Sequence, residues 1–222
     1  MPSYKSLVKE VIKKADVLLE VVDARFPEET RNSEIEREIA RLNKPLIIVI
    51  NKCDLVSKEK LEKTKARFSK IAPTIFISSK DRSGTTMLRH QILASARKNS
   101  AEAHKRKDSD KSSDKGTDIK DLNEESLTGK KPDGKNSKKD KSEILVGTLG
   151  YPNVGKSSVI NGVTGRHRAS TSAVSGHTKG VQHVDAGSKI MFIDTPGVIP
   201  FDEKDEYLQG LLGVKDVTHL KD

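Results

Sequence analysis

The 222-residue chain has no tryptophan, only 4% aromatic residues and a single cysteine, Cys53. One cysteine cannot make an intrachain disulfide, so stability has to come from an apolar core, and a reducing, cytoplasmic setting is expected. No apolar run approaches the roughly 18 residues needed to cross a bilayer. Residues 1–20 alternate lysine with leucine and valine, whereas a secretory signal needs an unbroken apolar stretch. A soluble protein without a membrane partner is therefore expected. The hydrophobic fraction, 33%, is low for a globular protein, and the shortfall is concentrated in one segment. Between residues 99 and 142, isolated side chains such as Ile119, Leu122 and Leu127 sit among Lys, Asp, Ser and Gly. Such a segment cannot bury enough surface to offset its chain entropy, and it is predicted to be a disordered linker. It divides the chain into residues 1–98 and 143–200, followed by a short tail, 201–222.

What is present is charge. Lys and Arg number 41 against 32 Asp and Glu, a formal net charge of +9, which favours a polyanionic partner such as RNA without naming one. The linker carries both signs, so a solvated tether and an RNA-touching arm are both open readings.

Both blocks read as α/β. Short runs at Val17–Val22, Leu46–Ile50, Ile75–Ile77, Ile144–Leu149 and Ile190–Ile193 have the length and composition of strands buried on both faces of a mostly parallel sheet. Helical spacing lies between them. Ser33 and Glu36 form a capping-box pattern ahead of Ile35, Ile39 and Leu42. Ser57 can cap a helix bearing Leu61, Phe68 and Ile71, and Ser83 can open one bearing Met87, Leu88 and Ile92. Alternating strands and helices predict a doubly wound sheet with helices on both faces and a ligand site at the carboxyl ends of its strands.

The strongest motif is Gly150-Tyr-Pro-Asn-Val-Gly155-Lys156-Ser157, a complete phosphate loop between a predicted strand and a predicted helix. Glycines allow backbone N–H groups, including those around Asn153, Val154, Gly155 and Ser158, to surround phosphates. Lys156 brings a charge to the β and γ groups, and Ser157 can ligate Mg²⁺. The base is addressed by Asn51-Lys52-Cys53-Asp54, which follows the strand LIIVI. Asp54 can accept from guanine N1–H and the exocyclic amine, a donor pair that adenine lacks. GTP and GDP are therefore the expected ligands, with discrimination of roughly 10⁴ to 10⁵ for sites of this kind. Ser78-Ser79-Lys80 is a third element, whose Ser79 N–H can reach guanine O6. Asp194-Thr195-Pro196-Gly197 puts a carboxylate near Mg²⁺ and the Gly197 N–H near the γ-phosphate. Between these motifs, Thr178 is the candidate switch threonine, ligating Mg²⁺ when the γ-phosphate is present, flanked by Gly176 and Gly180.

These motifs resemble those of GTPases, but N-K-x-D and SSK precede the phosphate loop instead of following it. In this order the chain resembles the circularly permuted GTPases of the YlqF/YawG type, associated with assembly of the large ribosomal subunit. Asp23-Ala24-Arg25 resembles that family's D-A-R signature, and SGHTKGVQ resembles its P-G-x-T-K-x-x-Q stretch, with Ser175 in place of proline. The resemblance implies a circularly permuted P-loop GTPase domain, slow GTP hydrolysis with Lys156, Thr178 and Gly197 in catalytic roles, and a partnership with the large subunit, its precursor or rRNA. A GTP-responsive RNA-binding scaffold, with hydrolysis incidental, is the alternative. Val198 stands where many GTPases carry a water-orienting glutamine. Asn153 matches the asparagine that holds K⁺ against the phosphates in related GTPases.

Overall fold

The computed structural model describes residues 4–111, 143–165, 182–187, 189–195 and 210–213. In chain order the elements are α1 (Tyr4–Lys14), β1 (Val17–Asp23), α2 (Ser33–Arg41), β2 (Leu46–Asn51), a 3₁₀ turn (Cys53–Leu55), α3 (Lys58–Phe68), β3 (Thr74–Phe76), α4 (Thr85–Lys111), β4 (Ile144–Gly150), α5 (Lys156–Thr164), β5 (Gln182–Asp185) and β6 (Ile190–Asp194). The strands form one sheet in the order β3-β2-β1-β4-β6-β5. All neighbouring pairs are parallel except β5 with β6.

Every residue of β1 is buried, as its place between β2 and β4 requires. Helices cover both sheet faces. On one, α1 inserts Val8, Val11 and Ile12 at helical spacing against Leu18, Leu149 and Ile193. On the other, Leu88 and Ile92 of α4 and Val159, Ile160 and Val163 of α5 join one cluster with Leu19 and Val21 of β1 and Val146 of β4. Each fully buried aliphatic side chain contributes about 1.5–3 kcal/mol relative to exposure.

Several helix boundaries differ from the sequence expectation. The cap of α2 is Asn32, not Ser33: its Oδ1 accepts from Glu34 N (3.1 Å) and Ile35 N (3.0 Å). Glu36 cannot close a capping box because Arg31 takes its carboxylate, and the Asn32 N–H instead donates to Glu20 Oε1 at 2.7 Å. Ser57 does cap α3, accepting from Lys60 N at 3.4 Å. Ile71 lies beyond the end of that helix and is 43% exposed. Ser83 exchanges backbone hydrogen bonds with Ser78, so α4 opens at Thr85, and its Met87 faces water. That helix runs to Lys111, past the boundary expected near residue 98, and the remainder of the predicted linker, 112–142, lies outside the described residues. The segments α1 and β5 were not anticipated.

Glu20 is the anomaly in the core. It stands mid-strand in β1, between Ile48 and Leu149, and is 1% exposed. Burial and the neighbouring Glu36 push its carboxyl well above the usual carboxylate range.

Candidate functional site

The chain leaves β1 toward β2 and β3 on one side of the sheet, whereas β4 is followed by strands on the other side. The carboxyl ends of β1 and β4 therefore flank a topological switch point, the place where open α/β sheets bind ligands. Every sequence-predicted site residue that falls among the described residues lies at the carboxyl end of a strand or on the segment that follows it: Asn51 at the end of β2 with Lys52 and Asp54 after it, Ser78 to Lys80 after β3, the phosphate loop and the first turn of α5 after β4, and Asp194 at the end of β6.

The phosphate loop requires its glycines. Gly150 has φ +146°, and a Cβ there would stand 2.3 Å from Val21 O; Gly155 has φ +93°, and its Cβ would meet Asn51 Nδ2 at 2.4 Å. Any other residue would have to push the loop away from β1 or from Asn51. Lys156, the first residue of α5, is buried, and its Nζ donates to Gly150 O (3.1 Å) and Tyr151 O (3.0 Å). Burial pulls its pKa down to about 8, with the Asp194 carboxylate opposing that shift. A charge needing more partners than two carbonyls is what a polyphosphate would satisfy.

One remote segment, Asn51-Lys52, fastens this loop. Asn51 Nδ2 donates to Val154 O at 2.8 Å, and Lys52 Nζ donates to Asn153 O at 2.7 Å. In a trans peptide the carbonyl and the following N–H point in opposite directions. Holding these two carbonyls therefore also fixes the Val154 and Gly155 N–H groups on the opposite side, the arrangement an anion-binding nest needs. Asn51 Oδ1 accepts from the Ser79 hydroxyl (2.8 Å) and N–H (3.3 Å), so one amide joins the N-K-x-D, SSK and phosphate-loop segments. Ser78 is buried and donates to Asp81 Oδ2 at 2.9 Å, which makes it a loop-shaping residue. Asp54 and Lys80 are exposed. Asp54 is thus open to a base, in the 3₁₀ turn next to the Asn51–Lys52 anchor.

Ser157 Oγ donates to Asp194 Oδ2 at 2.6 Å. Asp194 is fully buried, and its Oδ1 meets no donor in hydrogen-bonding geometry. Burial raises its pKa, while Ser157, Lys156 and the Thr195 backbone act in the opposite direction. A hydroxyl and a carboxylate sharing one position, with an orphaned carboxylate oxygen beside a lysine, fit Mg²⁺, which takes few protein oxygens and fills its octahedron with phosphate and water. Among the described residues no group of three His, Cys, Asp or Glu side chains could hold a metal ion.

Val154 is buried and Ser158 half-buried. Asn153 has φ +59° and donates its amide to Gly213 O at 2.7 Å. Thr178, Gly197 and Val198, with Gly176 and Gly180, lie outside the described residues. Two contributors had no assigned role. Thr195 Oγ1 donates to Thr148 O at 2.6 Å, tying the start of D-x-P-G to β4. Asp23, noted only within D-A-R, is fully buried and pairs with Lys52; an acid ending an apolar strand was its signal.

Several known proteins are similar in sequence. Residues 145–219 match the family described as 50S ribosome-binding GTPase. An uncharacterized GTP-binding protein of Methanocaldococcus jannaschii is 40% identical over 216 residues, covering 97% of this chain and 47% of that protein. A GTPase of Schizosaccharomyces pombe is 35% identical over 99% of this chain and 43% of its own length. A nuclear GTP-binding protein of Saccharomyces cerevisiae is 30% identical over 88% of this chain and 34% of its own length. The chain thus spans less than half the length of each of these relatives. The mostly parallel sheet, the phosphate loop at its switch point and the family match over residues 145–219 make this the fold of a P-loop GTPase domain.

Proposed function

We propose that the chain is a circularly permuted GTPase domain that binds GTP with Mg²⁺, hydrolyses it slowly to GDP and phosphate, and acts as a switch in assembly of the large ribosomal subunit. The observation that carries nucleotide binding is the pair of hydrogen bonds from Asn51 and Lys52 to the carbonyls of Val154 and Asn153, which join a guanine-type motif to a phosphate loop about a hundred residues later in the chain. The permutation is supported by motif order: the segment for the base comes first and the segment for the phosphates last.

In this reading Asp54 accepts from the guanine edge, and Ser79 N–H faces O6. Incoming phosphates replace the Gly150 and Tyr151 carbonyls as partners of Lys156, which restores full charge to that side chain. Ser157 and Asp194 would hold Mg²⁺, which would supply positive charge against the phosphates. Thr178 and the Gly197 N–H sense the γ-phosphate. Asn153, whose amide nitrogen donates to Gly213 O, would be the residue that holds K⁺, which would supply positive charge beside the phosphates. With Val198 in place of a water-orienting glutamine, intrinsic turnover is near or below roughly 10⁻⁴ s⁻¹.

A ribosomal partner is supported by the 50S ribosome-binding description of the matching family and by the net charge of +9. One relative is named as nuclear, so the cytoplasmic expectation widens to whichever reducing compartment houses the assembling subunit. No helix among the described residues is long and apolar enough to cross a membrane. Co-sedimentation with separated ribosomal subunits, using GDP, a non-hydrolysable GTP analogue or no nucleotide, tests the switch. Binding to the large subunit only with the analogue is the expected result. Equal binding in all three states would leave the scaffold alternative, in which hydrolysis is incidental.

A further inference from the structure

We propose that Asp23 is a positioning residue for the nucleotide site, holding Lys52 against the phosphate loop before nucleotide arrives. The inference rests on the guanine-nucleotide reading of that site and adds a residue outside its motifs.

Asp23 closes β1, where it lies in register with Asn51 at the end of β2. Its side chain is 0% exposed. An ionised carboxylate has about four lone-pair positions, and here four donors occupy them. Oδ1 accepts from Arg25 N and Arg25 Nε, both at 3.0 Å. Oδ2 accepts from Arg25 Nη2 at 2.7 Å and lies 2.9 Å from Lys52 Nζ. Burial pushes this carboxyl upward, but the Arg25 and Lys52 contacts outweigh it and hold it below the usual aspartate range. The group is therefore a permanent anion between two cations. Its backbone is locked as well: Asp23 N donates to Thr30 Oγ1 at 3.0 Å, and Ala24 N to Asn51 O at 2.9 Å.

Lys52 needs such an anchor. Its backbone sits in the left-handed region at φ +61°, and its side chain is a flexible four-carbon stem whose ordering costs rotamer entropy. Its other contact is the neutral carbonyl Asn153 O. Asp23 supplies the charge that keeps the ammonium at that carbonyl, and the carbonyl in turn fixes the Val154 N–H for phosphate. Arg25 takes the remaining lone pairs, so the carboxylate leaves one position for Lys52. Without the anion, Lys52 can move into solvent, and the Asn153–Val154 peptide is free to turn.

The test is a double-mutant cycle in GDP affinity, measured by titration calorimetry on the full chain. Asp23→Asn keeps the shape but presents an amide that cannot serve both cations. Asp23→Asn and Lys52→Met should each weaken GDP at least tenfold, and the double variant should be no weaker than about the poorer single. Multiplying losses would mean that Asp23 acts on the fold and not through Lys52, and a loss under twofold from Asp23→Asn would exclude the role. Should Asp23→Asn fail to fold, Arg25→Ala replaces it. That change frees the carboxylate for Lys52, so Lys52→Met should cost more in the Arg25→Ala background than in the unmodified chain. An equal cost would overturn the proposal. If the unmodified protein binds no GDP, the proposed function has failed first, which separates the two outcomes.

Discussion

Under the proposed function, Lys156 makes nucleotide binding a proton-linked event. In the structure this ammonium is buried, with two backbone carbonyls as partners, and its pKa is lowered to about 8 from the usual 10.5. Phosphates bring negative charge to the same nitrogen and return its pKa to the ordinary lysine value or above. Above pH 8 the free protein is largely neutral at this position and must take up a proton to bind. Uptake should be about 0.5 proton per nucleotide at pH 8 and roughly 0.75 at pH 8.5, with GDP affinity about fourfold lower at pH 8.5 than at pH 7. The sign for folding is the reverse. A lysine whose folded pKa is depressed binds fewer protons than the unfolded chain between about 8 and 10.5, so the nucleotide-free fold gains stability as pH rises through that window. The assay is titration calorimetry of GDP in buffers of differing ionisation enthalpy, which counts protons directly. Uptake near zero at pH 8.5 would refute the reasoning, because Lys156 would then be charged before the phosphates arrive.

Three further predictions concern single positions. Asp54→Asn should weaken GDP by roughly 10²-fold, the loss of two hydrogen bonds to a charged acceptor, and should improve xanthosine diphosphate, whose C2 carbonyl can accept from the new amide; competition binding with both nucleotides checks this. Gly155→Ala places a methyl group on Asn51 Nδ2 at a positive φ, so thermal denaturation should show about 2 kcal/mol or more of lost stability, together with weaker GDP binding; a change under about 0.5 kcal/mol would contradict the geometry. Glu20 binds its proton more tightly folded than unfolded, so its contribution is full below the ordinary glutamate pKa and is lost as pH rises through the folded value. Glu20→Gln should therefore flatten the decline of denaturation midpoints as pH rises above the ordinary glutamate range, and an unchanged slope would contradict it.

Every strand but β5, and the phosphate loop, were legible because their signals are local. An apolar run between turn residues reads as a buried strand, and a glycine-lysine-serine spacing reads as an anion cradle, wherever they stand in the chain. Helix ends were less legible because tertiary partners decide them. Asn32 caps α2 since Glu20, twelve residues earlier on a strand, takes its N–H, and Arg31 takes the Glu36 that would have closed a box on Ser33. The exposed Met87 and Ile71 show the same limit: helical spacing fixes a face, and the sheet decides whether that face is covered. In the site, Lys156, Ser157, Asp194 and Asn51 were identifiable from motifs. The staple from Asn51 and Lys52 to the phosphate loop was not, because it joins residues about a hundred positions apart through backbone carbonyls, which carry no side-chain identity. Asp23 carried a signal, an acid ending an apolar strand, but its pairing with Lys52 depends on the register of β1 against β2.

The most direct measurement is a calorimetric titration of the full chain with GDP and, separately, with ADP, each in the presence of Mg²⁺. The fold alone would admit either nucleotide, since the phosphate loop does not distinguish bases. The account predicts one GDP per chain and ADP binding weaker by about 10⁴-fold, the discrimination expected when a buried or anchored polar match is lost. Equal affinities for GDP and ADP would contradict the assignment of Asn51, Lys52 and Asp54 to a guanine site, and with it the central claim.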